Sequence, residues 1–222
     1  SFTPVLDINY GTSSVIGNRS FHHKIAPIIE LSSALHDGLN YGGMQGVGKH
    51  FPGHGYIKAD THHEAAIDPR PFEEIRSSDM KIFQSLIQIG LYGIMPSHII
   101  YSACDKMPSG LSRFWLQEQL REKLGFNGAI FSDDISMNAA VLYSKDIKKR
   151  VLMALNSGCD MVLVCNSPND VDSLLNRLEW QVSESSVLRI NKMRLDINKN
   201  RISNYKDQSL EEIQIFVNNF VK

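Results

Sequence analysis

Several things are scarce in this chain. Only three cysteines are present, Cys104, Cys159 and Cys165. Two of them lie in or beside the apolar run CDMVLVC, where they read as small buried hydrophobes, so a disulfide framework is not expected. No apolar run approaches the roughly 20 residues that cross a bilayer. No basic start followed by an apolar core marks a secretion signal. These shortages place the protein in a reducing cytoplasm with no membrane partner. The chain also lacks an initiator Met and opens in SFTPVLDIN, which reads like the middle of a protein. Neither sign of charge is in excess: 23 Lys and Arg stand against 24 Asp and Glu. That balance removes the electrostatic case for nucleic acid or an anionic surface and leaves small neutral or zwitterionic ligands. No low-complexity linker divides the 222 residues, and the spacing is too irregular for a solenoid.

What is present is one repeated pattern. Short apolar runs at 3–9, 46–51, 93–99, 128–134 and 160–166 alternate with helical segments read near 25–40, 71–89, 111–124 and 145–157. Alternation of this kind predicts successive parallel strands joined by helices. The punctuation agrees. Gly38, Gly90, Gly125 and Gly158 follow the helices, while Pro71 with Glu73 and Glu74, and Ser144 with Asp146, suit helix starts. Past residue 182 the chain reads as charged and helical, and 201–222 as a short amphipathic tail beyond a catalytic unit spanning 1–200.

The polar residues fall where a parallel α/β protein keeps its chemistry. Lys49 and His50, His98, Asp133 and Asp134, and Asn166 all sit at the carboxyl ends of different predicted strands. In a (β/α)8 barrel that end carries the site, and a doubly wound sheet would use the same end. The expected fold is α/β, a (β/α)8 TIM-type barrel incomplete at the N-terminus of this chain, since five strands are read where eight are needed.

Four of the eight histidines, His50, His54, His62 and His63, crowd into HFPGHGYIKADTHH. Histidine and aspartate are common metal ligands, but His62 and His63 are adjacent and point apart in extended chain, and no HExxH helix is present. Single histidines here read equally well as solvated loop residues or satisfied strand-end groups. Asp60, two residues before His62, is spaced to accept a hydrogen bond from that imidazole and raise its basicity. Such a dyad can exchange protons near neutral pH. In FSDDISM, two adjacent carboxylates cannot both face the mouth of a barrel. One is free to react while the other is turned into structure or a helix cap, and Asp133 is the better reacting candidate.

These motifs carry a resemblance. KHFPGHG (49–55), DTH (60–62) and FSDDISM (131–137), with PVLDIN (4–9) and VIGNRSF (15–21), resemble the NagZ-type β-N-acetylglucosaminidases of glycoside hydrolase family 3. The likeness runs from Ser1 to about residue 180. It implies a barrel that removes terminal β-linked N-acetylglucosamine by a retaining double displacement, with muropeptides containing 1,6-anhydro-muramic acid as substrate in peptidoglycan recycling. Asp133 would be the nucleophile, His62 the general acid/base and Asp60 the residue that orients it. Arg19, Lys49 and His50 would hold sugar hydroxyls, with His98 lining the site.

The resemblance implies no cofactor, no metal and a monomer. His54 is expected to shape the PGHG turn, and His63 and Glu64 to be exposed. By ordinary glycosidase logic Glu64 is the rival acid, because retaining enzymes use two carboxyl groups about 5 Å apart. The family's D-x-E-G-G-x-V-x-R-like stretch, which precedes the PVLD strand and grips the sugar, lies outside these 222 residues. Three other readings stand beside the main one: phosphorolysis, a metal-dependent hydrolase using His50, His54, His62 and Asp133, and an inactive sugar-binding homologue.

Overall fold

A computed structural model describes residues 1–58 and 66–194. Its centre is a parallel sheet of β1 (Val47–Phe51), β3 (Gly93–Pro96) and β5 (Ala129–Ile130), in that spatial order. Val47 pairs with Gly93, and Gly93 in turn with Ala129. Isolated parallel bridges extend the sheet on both sides, Val5 to Lys49 and Phe131 to Met161. The five apolar runs therefore lie side by side in chain order, with the two outermost reduced to single bridges. All four residues of β3 are buried, as a parallel strand covered on both faces requires. A second, two-stranded sheet pairs β2 (Ile67–Asp68) with β4 (Ile100–Tyr101), an element the periodicity did not announce.

Helices separate the strands. They are α1 (Ile25–Tyr41), α2 (Phe72–Ser77), α3 (Asp79–Gln88), a π-helix over Phe114–Lys123, α4 (Asn138–Val141), α5 (Ile147–Ser157), α6 (Pro168–Arg177) and α7 (Glu184–Lys192). Two expectations change. The helix read over 71–89 is broken at Ser78, whose hydroxyl takes the Glu74 carbonyl at 2.6 Å while its backbone leaves helical geometry. Hydroxyls that bond back to the preceding turn compete with the helix ladder in this way. Gly38 does not stop α1, which continues to Tyr41 and ends at Gly42. Gly158, by contrast, takes φ 122° and closes α5. At the other end of α5, Asp146 caps the helix by accepting the Lys148 N–H at 2.9 Å.

The core lies between the sheet and these helices. Phe51 packs edge-on to Phe83 with centroids 5.3 Å apart, and Trp115 packs against Tyr101 at 5.0 Å. All four are fully buried. Burying aromatic surface of this size is the main stabilising contribution, about 1.5–3 kcal/mol for a Phe-sized side chain. It also makes β1 a rigid base for the residues that follow Phe51. Among the described residues, no helix is long and apolar enough to cross a membrane.

Candidate active site

The strand ends bring Lys49, His50, His54, His98, Asp133 and Asp134 to one face, together with Asp7, a residue the sequence reading did not single out. Asp7 is fully buried. The pairing of Val5 with Lys49 sets its carboxylate beside the end of β1. It accepts the His50 N–H at 3.1 and 3.3 Å, His50 Nδ1 at 2.7 Å and the His54 N–H at 2.7 Å. Burial pushes its pKa up, but the His50 charge and hydrogen bond, with His54, outweigh this and leave the pKa below its ordinary value. An ionised Asp7 only accepts hydrogen bonds, so His50 carries its proton on Nδ1 and leaves Nε2 for other contacts. His50 falls where the β1–β3 register shifts between Lys49 and Phe51, a local irregularity of the kind that re-aims side chains at sites.

Asp133 and Asp134 follow β5 and diverge. Asp134 faces structure: its carboxylate accepts the Ser136 N–H at 2.9 Å, the Ser136 hydroxyl at 2.7 Å and the Cys165 N–H at 3.0 Å. Asp133 Oδ1 accepts the N–H of Asp134 at 2.8 Å. Burial again pushes the Asp133 pKa up, and His50, then His98, the Asp134 N–H and His54 pull it below the ordinary value. The result is an anionic carboxylate in a half-buried setting, the state a nucleophile needs. His98 Nε2 lies 3.0 Å from the Asp134 carbonyl oxygen.

Lys49 is held below the usual lysine pKa by burial and by the nearby Arg19 charge, against the opposing pull of Asp133 and Asp7. Arg19 itself is exposed and donates to the Val15 carbonyl at 3.1 Å. His54 is buried, and burial followed by the neighbouring His50 lowers its pKa. Its ring stands edge-on to His50 with centroids 5.6 Å apart. Asp60, His62, His63 and Glu64 lie outside the described residues, so the proposed proton-transfer pair is not placed. Among the described residues, no group of three or more His, Cys, Asp or Glu is arranged to hold a metal ion.

The shoulders of that segment are anchored. Arg70 is 3% exposed and donates to Asp68 through Nε and Nη2, and through Nη1 to Asp79 at 2.9 Å. Its guanidinium lies 4.2 Å from the centroid of the Tyr56 ring. Tyr10 donates to the same Asp79 oxygen at 2.9 Å. Thr12 donates to the Tyr56 carbonyl at 2.8 Å, and Tyr101 to the Gly53 carbonyl at 2.7 Å. A Cβ at Gly55 would fall 1.7 Å from the Ile8 carbonyl oxygen, so the chain passes the N-terminal run at a distance only glycine allows.

The signal for Asp7 was in the sequence: a single carboxylate within the apolar run PVLDIN is costly unless it is used. Arg70 gave no such signal.

Parallel strands with carboxylates and histidines gathered at their carboxyl ends define the class: an α/β protein with a candidate site at the C-terminal face of its sheet. The chain belongs to the family described as Glycosyl hydrolase family 3 N terminal domain, whose model matches residues 1–205. It is 52% identical over 193 residues to a beta-hexosaminidase of Methylobacillus flagellatus, covering 87% of this chain and 55% of that one. With a beta-hexosaminidase of Bordetella parapertussis it shares 49% identity, covering 87% and 54%. Among solved structures, NagZ from Neisseria gonorrhoeae in complex with N-trifluoroacetyl-D-glucosamine superposes with a TM-score of 0.86 at 36% identity, covering 100% of this chain and 64% of that chain. The chain thus spans about half the length of the curated relatives it matches.

Proposed function

We propose that the chain forms the catalytic part of an exo-acting, retaining β-N-acetylglucosaminidase. The observation that carries this reading is Asp133: an anionic carboxylate at a strand end, set among His50, His98 and His54, with its neighbour Asp134 turned away into structure. In this reading Asp133 attacks the anomeric carbon and forms a covalent glycosyl-enzyme. His62, oriented by Asp60, protonates the leaving oxygen and then activates water. Lys49, Arg19 and His50 hold sugar hydroxyls through charge-assisted hydrogen bonds, with His98 beside them.

A histidine suits the acid/base role, because its ordinary pKa lies near neutrality and it places no second anion next to Asp133. The parallel sheet is read as five strands of a (β/α)8 barrel, with 1–200 as the catalytic unit. The substrate is a muropeptide bearing N-acetylglucosamine on 1,6-anhydro-muramic acid, met in the cytoplasm during peptidoglycan recycling by a monomer without a cofactor. The names of the relatives support the sugar and the reaction class.

A chromogenic β-N-acetylglucosaminide tests the reading. The protein is expected to release the chromophore, and Asp133→Ala to lose that activity while remaining folded. Hydrolysis that is equal in both, or absent from both, would remove the reading. Sugar 1-phosphate formed in phosphate buffer would shift it to phosphorolysis.

A further inference from the structure

We infer that Asp7 is a positioning residue for the reaction, acting through His50; this role rests on the proposed hydrolase. A fully buried carboxylate carries a large desolvation cost unless several donors surround it. Asp7 has three, all on one short stretch: the backbone and ring N–H of His50 and the backbone N–H of His54. Two consequences follow.

The 2.7 Å bond keeps a proton on Nδ1 and fixes the rotation of the ring, so Nε2 is the nitrogen left for other contacts. Nε2 is thereby the atom this ring can offer to a sugar hydroxyl. The bond to the His54 N–H also holds the first turn of the PGHG stretch against the N-terminal run, where Gly55 passes Ile8. Asp7 thus sets both the angle of one sugar-facing ring and the start of the loop that leads to His62.

The test is a double-mutant cycle on the full chain with the chromogenic substrate, combined with long-range nitrogen–proton correlation spectra of His50. Asp7→Asn keeps the volume and removes the anion. It is expected to lower kcat/KM on the order of 100-fold, the size of loss seen when a reacting group is misplaced by about 1 Å. In a His50→Ala background the same substitution is expected to cost clearly less, because the route through His50 is gone and only the His54 contact is left to lose. Equal losses in both backgrounds would make Asp7 a purely structural residue and overturn the inference.

The spectra decide independently of activity. The wild type is expected to show His50 protonated on Nδ1, and Asp7→Asn to lose that preference. A wild-type His50 protonated on Nε2 alone overturns the inference even if Asp7→Asn does not fold. A wild type that leaves the substrate intact while showing the Nδ1 tautomer would refute the hydrolase reading and leave the Asp7–His50 pairing standing without its catalytic role.

Discussion

The carboxylate of Asp134 accepts the backbone N–H of Cys165 at 3.0 Å and so ties the end of one strand to the next across 31 residues of chain. Among the described residues, its neighbour Asp133 makes no such tie; His50, His98, His54 and the Asp134 N–H hold its pKa below the ordinary value. Adjacent carboxylates thus have different surroundings, one tied into structure and one not. Asp133→Asn is expected to abolish turnover while remaining folded. Asp134→Ala is expected to lower stability by about 1–3 kcal/mol through the donors it leaves unpaired, measured by urea unfolding.

The acid limb of stability should have two steps. His54 binds its proton more weakly folded than unfolded, because burial lowers its pKa from 6.5. As pH falls below 6.5 the unfolded chain takes up a proton the native chain refuses, and stability declines until the native pKa is passed. Asp7 and Asp133 behave oppositely in charge but alike in direction: their native pKa values lie below 3.8, so their contribution is full above 3.8 and is lost as pH falls through the native values. Urea midpoints measured across this range should show both steps in the wild type. In His54→Asn the upper step should shrink to the part contributed by His36, a buried histidine whose pKa is also lowered by burial.

Arg70 neutralises Asp68 and Asp79, both buried. Removing the cation strands the Asp68 anion and pushes the Asp79 pKa, already raised by burial, further up; breaking a buried pair in this way costs about 3–5 kcal/mol. Arg70→Met should therefore lose about that much in urea unfolding. Arg70→Lys should recover only part of it, since a lysine cannot reproduce the two-pronged contact with Asp68 or the stacking on Tyr56.

Gly55→Ala tests whether the loop's path matters to the reaction. With Cβ 1.7 Å from the Ile8 carbonyl oxygen, the alanine must push the PGHG turn off the N-terminal run. The expected outcome is a fall in kcat/KM on the order of 100-fold from misplaced groups, read on the chromogenic substrate. Unchanged kinetics would mean that the loop's seat on Ile8 has no bearing on turnover.

Much of this architecture was legible in the sequence because its signals are local. The apolar runs at 46–51, 93–99 and 128–134 became β1, β3 and β5, and the helices near 25–40 and 145–157 lie close to their expected bounds. The divergence of Asp133 and Asp134 was also foreseen from the alternation of strand side chains. What escaped is non-local. The Asp7 bond to His50 joins residues 43 apart, and the Tyr10–Arg70 contact joins residues 60 apart. No periodicity reports such pairs. The break at Ser78 was hidden for a different reason: a serine in a helical pattern is neutral until its hydroxyl finds a carbonyl.

In the proposed reaction Asp133 becomes covalently bonded to the sugar. A fluorinated N-acetylglucosaminyl fluoride tests it directly, because the ring fluorine slows both steps while the good leaving group keeps formation faster than breakdown. Intact mass spectrometry followed by peptide mapping should find one sugar attached, on the peptide carrying Asp133. A label on a different carboxylate such as Glu64, or catalysis by the wild type with no trapped sugar at any residue, would rule out Asp133 as the nucleophile.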